Sequence, residues 1–165
     1  MKAELIVHPL DPVFDAESRI LILGTMPSPK SREAGFYYAH PRNRFRKVLG
    51  ALFGRELSDT AAMTSLLHEK HIALWDVIHS CEIRGASDSS IKNIVPNDIS
   101  RVTEASRVHA VFTTGTTAFK LYNRYCRSSV GIEAIPLPST SPANAKKSLA
   151  ELTEDYRIIL DYLDR

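Results

Sequence analysis

Thiols are scarce in this chain. Two cysteines in 165 residues, Cys81 and Cys126, are too few for a disulfide framework, and neither stands in a CxxC or zinc-type spacing. Charge of one sign is scarce too: the formal net charge is +2, too mild to mark a nucleic-acid binder by itself. No run approaches the roughly 18 apolar residues of a membrane span. The opening MKAELIVHPLDPVFD is too acidic and too broken by proline for a secretory leader. There is no GxSxG and no HExxH, and His8, His68, His71, His79 and His109 are scattered without metal spacing or a partnered nucleophile. No repeat, low-complexity tract or interdomain linker interrupts the chain. These absences lead us to expect a reduced, cytoplasmic protein with no metal, no cofactor and no membrane association.

What is present is ordinary in bulk. Apolar residues make up 44% and charged residues 24%, which suits one globular domain over residues 1–165. The distribution of charge says more. Between residues 34 and 55 there is no acid, yet Arg42, Arg44, Arg46, Lys47 and Arg55 all fall there. Such a segment presents one face to phosphates, or is simply a solvated helix face.

Alternation of apolar runs with helical patterns predicts α/β architecture. Strands are expected at 19–24, 108–113 and 132–137, with a strand or buried turn at 72–78. Helices are expected at 42–53 with Pro41 in the first turn, from the Ser58-Asp59 caps to 70, from Asn97-Asp98 to 106, at 115–126 and at 146–163. In the last of these, Leu149, Leu152, Tyr156, Ile159 and Leu163 form one stripe. The polar segment 80–93, with its GASDSS tract, reads as a surface loop. Two proline-rich loops, 25–41 and 138–144, leave the carboxyl ends of strands, the edge where parallel sheets bind ligands.

Three segments invite chemical readings. Gly24-Thr-Met-Pro-Ser-Pro-Lys-Ser31 nearly spells the phosphate loop GxxxxGK[ST], but Pro29 occupies the place of the second glycine and has no N–H to offer a phosphate. Gly35-Phe-Tyr-Tyr-Ala-His-Pro-Arg-Asn-Arg-Phe45 combines stacking surfaces, an amide and cations, the mixture an extruded nucleobase asks for; aromatic core anchors explain it as well. Leu137-Pro-Ser-Thr-Ser-Pro-Ala-Asn-Ala145, followed by Lys146 and Lys147, is either a stiff phosphate seat or a capped strand-to-helix turn.

In order and spacing, Gly24-Thr-Met-Pro-Ser28, Phe36-Tyr-Tyr-Ala-His-Pro-Arg-Asn-Arg-Phe45 and Leu137-Pro-Ser-Thr-Ser-Pro-Ala-Asn144 resemble the motifs of the uracil-DNA glycosylase superfamily. Within it they are most similar to the hypoxanthine-DNA glycosylase (DNA-deoxyinosine glycosylase) family; the mismatch-specific uracil-DNA glycosylases are more distant. The likeness continues through Ala73-Leu-Trp-Asp-Val-Ile78 and Ser87-Asp-Ser-Ser-Ile-Lys-Asn-Ile-Val-Pro-Asn-Asp98.

The resemblance implies a three-layer α/β/α sandwich around a central, mainly parallel sheet. It implies hydrolysis of the N-glycosidic bond of a deaminated base in DNA, with hypoxanthine as first choice and uracil or xanthine as others. Asn43 would be catalytic, orienting water or the departing base, and Tyr38 would stack on that base. Gly24, Thr25, Met26, Pro27 and Ser28 would border the base pocket, together with Phe36, Tyr37, His40 and Thr114. Ser139, Thr140, Ser141, Pro142, Ala143 and Asn144 would press into the duplex and grip phosphates, with Ala143 near the wedge position. Arg42, Arg44, Arg46 and Lys47 are expected to face the DNA.

Four residues depart from the pattern. Met26 stands where the mismatch-specific enzymes carry asparagine, Thr114 where relatives often carry asparagine and Arg46 where they often carry tryptophan, and the wedge residue Ala143 is small. No lysine is in an evident position for a Schiff base, so the expected product is an abasic site without strand cleavage, made by a monomer. Two other readings stay open on sequence: a damage-binding module lacking the chemistry, motivated by Met26 and Thr114, and a small-molecule enzyme using 25–31 around a nucleotide phosphate.

Overall fold

The computed structural model describes residues 2–85 and 88–165. The strands are β1 (Glu4–Val7), β2 (Ile20–Gly24), β3 (Ile72–Asp76), β4 (Ile78–Ile83), β5 (Lys92–Pro96), β6 (Ala110–Thr114) and β7 (Ala134–Leu137). The helices are α1 (Pro29–Ala34), α2 (Phe45–Phe53), α3 (Thr60–Glu69), α4 (Ser100–Thr103), α5 (Thr116–Tyr125), α6 (Arg127–Val130), α7 (Leu149–Tyr156) and α8 (Ile158–Leu163).

Four strands form a parallel sheet in the order β3-β2-β6-β7. Every residue of β2 and β3 is buried, which requires cover on both faces and explains why these strands read as unbroken apolar runs. This is the expected α/β architecture. Parallel pairing sets Gly24 opposite Asp76 and Leu23 opposite Thr113, so the carboxyl ends of β2, β3 and β6 finish at one edge. The chain leaves β2 for β3 on one side and later returns to β6 on the other. That reversal of strand order opens a crevice at the same edge.

Four expectations need correction. Segment 80–93 is not loop throughout: its two ends belong to β4 and β5, which pair with β1 in a second, antiparallel sheet, order β1-β4-β5. Two register shifts in β4 place its buried residues at Ile78, Cys81 and Ile83, which breaks the period of two that would have marked a strand. Within GASDSS, Ala86 and Ser87 lie outside the described residues.

Pro41 does not open a helix. The Asn43 side chain takes the Phe45 N–H in a local turn, and α2 starts only at Phe45. Asn97 does not cap a long helix either. Its amide donates to the carbonyls of Asp76 and Ile78 at 2.9 and 3.1 Å, stitching β3 to β4, and α4 is a single turn. The final helix is two, divided at Arg157 and opened by a Ser148–Glu151 capping box. Of its stripe, Leu152, Tyr156, Ile159 and Leu163 are buried, whereas Leu149 is exposed.

Candidate active site

The crevice at the strand ends holds a cavity of about 350 Å³, within the range of small-ligand sites. Its wall draws on Gly24 at the end of β2, Asp76 at the end of β3, Thr114 at the end of β6, and the loops after β2 and β7. Glycine is required at position 24 by close approach: a Cβ there would stand 2.5 Å from Asp76 Oδ1, 3.5 Å from the Tyr38 hydroxyl and 3.6 Å from Thr114 Oγ1. Three side-chain oxygens therefore converge over the bare Cα of Gly24.

Tyr38 has a left-handed backbone, φ 55°, a conformation that strains a non-glycine residue by about 1–3 kcal/mol. It persists because the ring is clamped flat on Phe45, with centroids 3.9 Å apart and planes 19° apart. One face of Tyr38 is thus covered, and only the other remains for a base. Burial, and then the charge of Asp76, push the Tyr38 hydroxyl well above its ordinary value, so it stays a donor.

Asn43 is fixed by two bonds to one atom. Its Oδ1 accepts from the Phe45 N–H at 2.9 Å and from the Thr140 hydroxyl at 2.9 Å. A backbone N–H can only donate, so the oxygen must face Phe45, and the Nδ2 amide group is left without a partner among the described residues. Asn43 lines the cavity, and its side chain has only N–H groups left to offer.

The remaining sequence-predicted residues divide. Thr25, Met26, Pro27, Ser28, Tyr37 and His40 line the cavity, as do Ser139, Thr140, Ser141, Pro142 and Ala143. Tyr37 commits its hydroxyl to the Asp11 carbonyl at 2.7 Å, and Met26 also packs on the small core of Ile78, Cys81 and Ile83. Phe36 does not line the cavity; it is buried in the main core, edge-on to Tyr37. Asn144 sits in an adjoining groove with Lys146 and Lys147, its amide donating to the Ser139 carbonyl.

The basic segment is not one face. Arg42 and Lys47 are exposed, but Arg44 donates to the carbonyls of Lys147 at 2.5 Å and Asn144 at 2.7 Å, clamping the second loop from inside. Arg46 has a buried Nε without a partner among the described residues, and Arg55 pairs with Glu69.

Sequence reasoning missed one pair. His8 Nε2 lies 2.7 Å from Asp76 Oδ2, and both residues are buried. The available signal was an acid closing an apolar strand, Ile72-Ala-Leu-Trp-Asp76, at the ligand-binding edge.

Residues 12–163 match the family described as the uracil DNA glycosylase superfamily. The chain belongs to that superfamily. Its relatives include a hypoxanthine DNA glycosylase of Methanosarcina acetivorans, 35% identical over 82% of this chain and 87% of the relative. Another is a hypoxanthine DNA glycosylase of Methanosarcina barkeri, 33% identical over 82% of this chain and 86% of the relative. A solution NMR structure from M. acetivorans, described as a candidate uracil DNA glycosylase, superposes with a TM-score of 0.75 at 30% identity and covers 94% of this chain and 97% of that one. The fold matches that structure along nearly its whole length.

Proposed function

We propose that this member of the superfamily is a monofunctional DNA glycosylase that removes deaminated bases, hypoxanthine first among them, and leaves an abasic site. Two relatives that carry the name hypoxanthine DNA glycosylase support the choice of base. The observation that carries the mechanism is the locked amide of Asn43.

Breaking the glycosidic bond leaves an oxocarbenium-like sugar and puts negative charge on the departing base. A fixed donor aimed at a ring carbonyl binds more tightly as that charge grows, and it needs no reorganisation when it does. Asn43 Nδ2 supplies the donor, and the open face of Tyr38 holds the base flat. This narrows the role to the departing base, because an amide presenting only N–H groups cannot draw a proton from water.

The second loop suits the DNA backbone. Ser139 Oγ accepts from the Ser141 N–H at 3.1 Å, and Ser141 Oγ accepts from the Ala143 N–H at 3.2 Å. Both hydroxyls keep their own hydrogens to donate to phosphate oxygens. No lysine lines the cavity among the described residues, which supports base release without strand cleavage. Two buried cysteines outside any disulfide suit the reducing cytoplasm.

The test is release of free base from duplexes carrying hypoxanthine, uracil, xanthine or thymine, followed by chromatography of the base and by strand scission with and without alkali. The proposal expects hypoxanthine to be released fastest and strands to break only after alkali. Intact lesions throughout, or scission without alkali, would count against it.

A further inference from the structure

We propose that Asp76 reads the extruded base, its free carboxylate oxygen accepting the ring N–H that deamination creates. The inference rests on the glycosylase reading above and names the group that selects the substrate.

The tautomer of His8 sets the arrangement. The Leu10 N–H donates to His8 Nδ1 at 3.2 Å, so that nitrogen carries no proton and Nε2–H is the donor to Asp76 Oδ2. One carboxylate oxygen is thereby occupied. The other, Oδ1, has no partner among the described residues and lies over Gly24 Cα, with the Tyr38 hydroxyl and Thr114 Oγ1 beside it. The backbone of Asp76 is held in turn by Asn97, whose amide donates to the Asp76 carbonyl at 2.9 Å. The two hydroxyls are bonded to each other at 3.4 Å, and Thr114 Oγ1 donates on to the Leu23 carbonyl at 3.4 Å, so the cavity offers one fixed, charged acceptor at Asp76 Oδ1.

Deamination inverts one hydrogen-bonding edge of a base. Adenine presents a bare ring nitrogen at N1 beside an amino group; hypoxanthine presents N1–H beside a carbonyl. Cytosine becomes uracil by the same inversion at N3. A carboxylate meets the N–H of the product and repels the lone pair of the parent. Guanine and thymine also carry such an N–H, so refusing them falls to the contacts made by the 2-amino and 5-methyl groups. The charge of Asp76 opposes the negative charge on the departing base, so Asp76 contributes selection and Asn43 contributes rate.

The experiment compares single-turnover excision of hypoxanthine and of 1-deazahypoxanthine, in which C–H replaces N1–H, by wild type and by Asp76→Asn. In the variant, the His8 Nε2–H holds the amide oxygen, so the NH₂ must face the cavity as a donor. Wild type should prefer hypoxanthine by about tenfold to a hundredfold, the value of a hydrogen bond to a charged group. Asp76→Asn should lose that preference, its ratio of rates on the two substrates falling towards one.

A preference ratio within one preparation cancels the folded fraction, and intrinsic differences in leaving-group chemistry cancel between the two enzymes. Equal slowing on both substrates would overturn the inference, because Asp76 would then act on water or on the fold. So would a wild type that treats the two substrates alike. Wild type that releases neither base would instead overturn the glycosylase reading, and this inference with it.

Discussion

Asn43 and Thr140 stand 97 residues apart in the chain and are joined by one hydrogen bond, 2.9 Å from the Thr140 hydroxyl to Asn43 Oδ1. That bond ties the aromatic loop before α2 to the serine-proline loop after β7, and it helps fix the direction of the Asn43 amide. Thr140 is almost fully buried, so the contact is shielded from water. Thr140→Val keeps the shape and removes the donor. We expect stability to drop by about 1 kcal/mol and single-turnover excision to slow several-fold, with Thr140→Ser close to wild type. A Thr140→Val enzyme of full rate would show that the tie between the loops is dispensable.

Gly24 is fixed by what approaches it. Gly24→Ala sets a methyl group 2.5 Å from Asp76 Oδ1, and that carboxylate is itself anchored by His8. The carboxylate must move, at a cost of about 1–3 kcal/mol. Chemical denaturation should register that loss, and excision should fall by more than the loss of folded protein explains. An alanine variant with wild-type stability and rate would contradict the close approach.

The basic segment should split in a salt titration. Arg42 and Lys47 are exposed, so replacing either with alanine should lower the slope of log affinity for DNA against log salt by about 1 if it meets a phosphate. Arg44 is spent on the carbonyls of Asn144 and Lys147. Its alanine variant should leave that slope unchanged and lower the unfolding midpoint instead. Equal slope changes at all three positions would contradict the clamp.

Burial pushes the Cys126 thiol up from 9.0 to about 11. A raised thiol holds its proton more tightly folded than unfolded. Its contribution is therefore complete below pH 9.0 and is lost as pH rises toward about 11. Tyr122, pushed up from 10.0 to about 12 for the same reason, extends the loss above pH 10.0. Urea midpoints should decline through this window, and Cys126→Ala should flatten its lower part. A midpoint flat from pH 9 to 11 would contradict the burial.

The parallel sheet was legible because β2, β3 and β6 are buried on both faces and therefore read as apolar runs. The second sheet was not, because β1 and β5 are mostly exposed edge strands and the bulges in β4 disrupt its alternation. At the site, residue types and motif order singled out Tyr38, Asn43 and the second loop. They could not distinguish Arg42, which is exposed, from Arg44, which turns inward to loop carbonyls; that difference depends on a fold 100 residues further along the chain. The His8–Asp76 pair was missed for the same reason, its two residues being 68 positions apart in the chain.

The most direct test of the account is the single-turnover rate of hypoxanthine release by wild type, Asn43→Ala and Asn43→Asp. Both variants lose the amide donor, and aspartate keeps the oxygen that holds Phe45 and Thr140. The account predicts that each is slower by about a hundredfold to a thousandfold, the usual cost of one lost transition-state donor. An aspartate variant as fast as wild type would contradict it, because Asn43 would then work as an acceptor for water and not as a donor to the base.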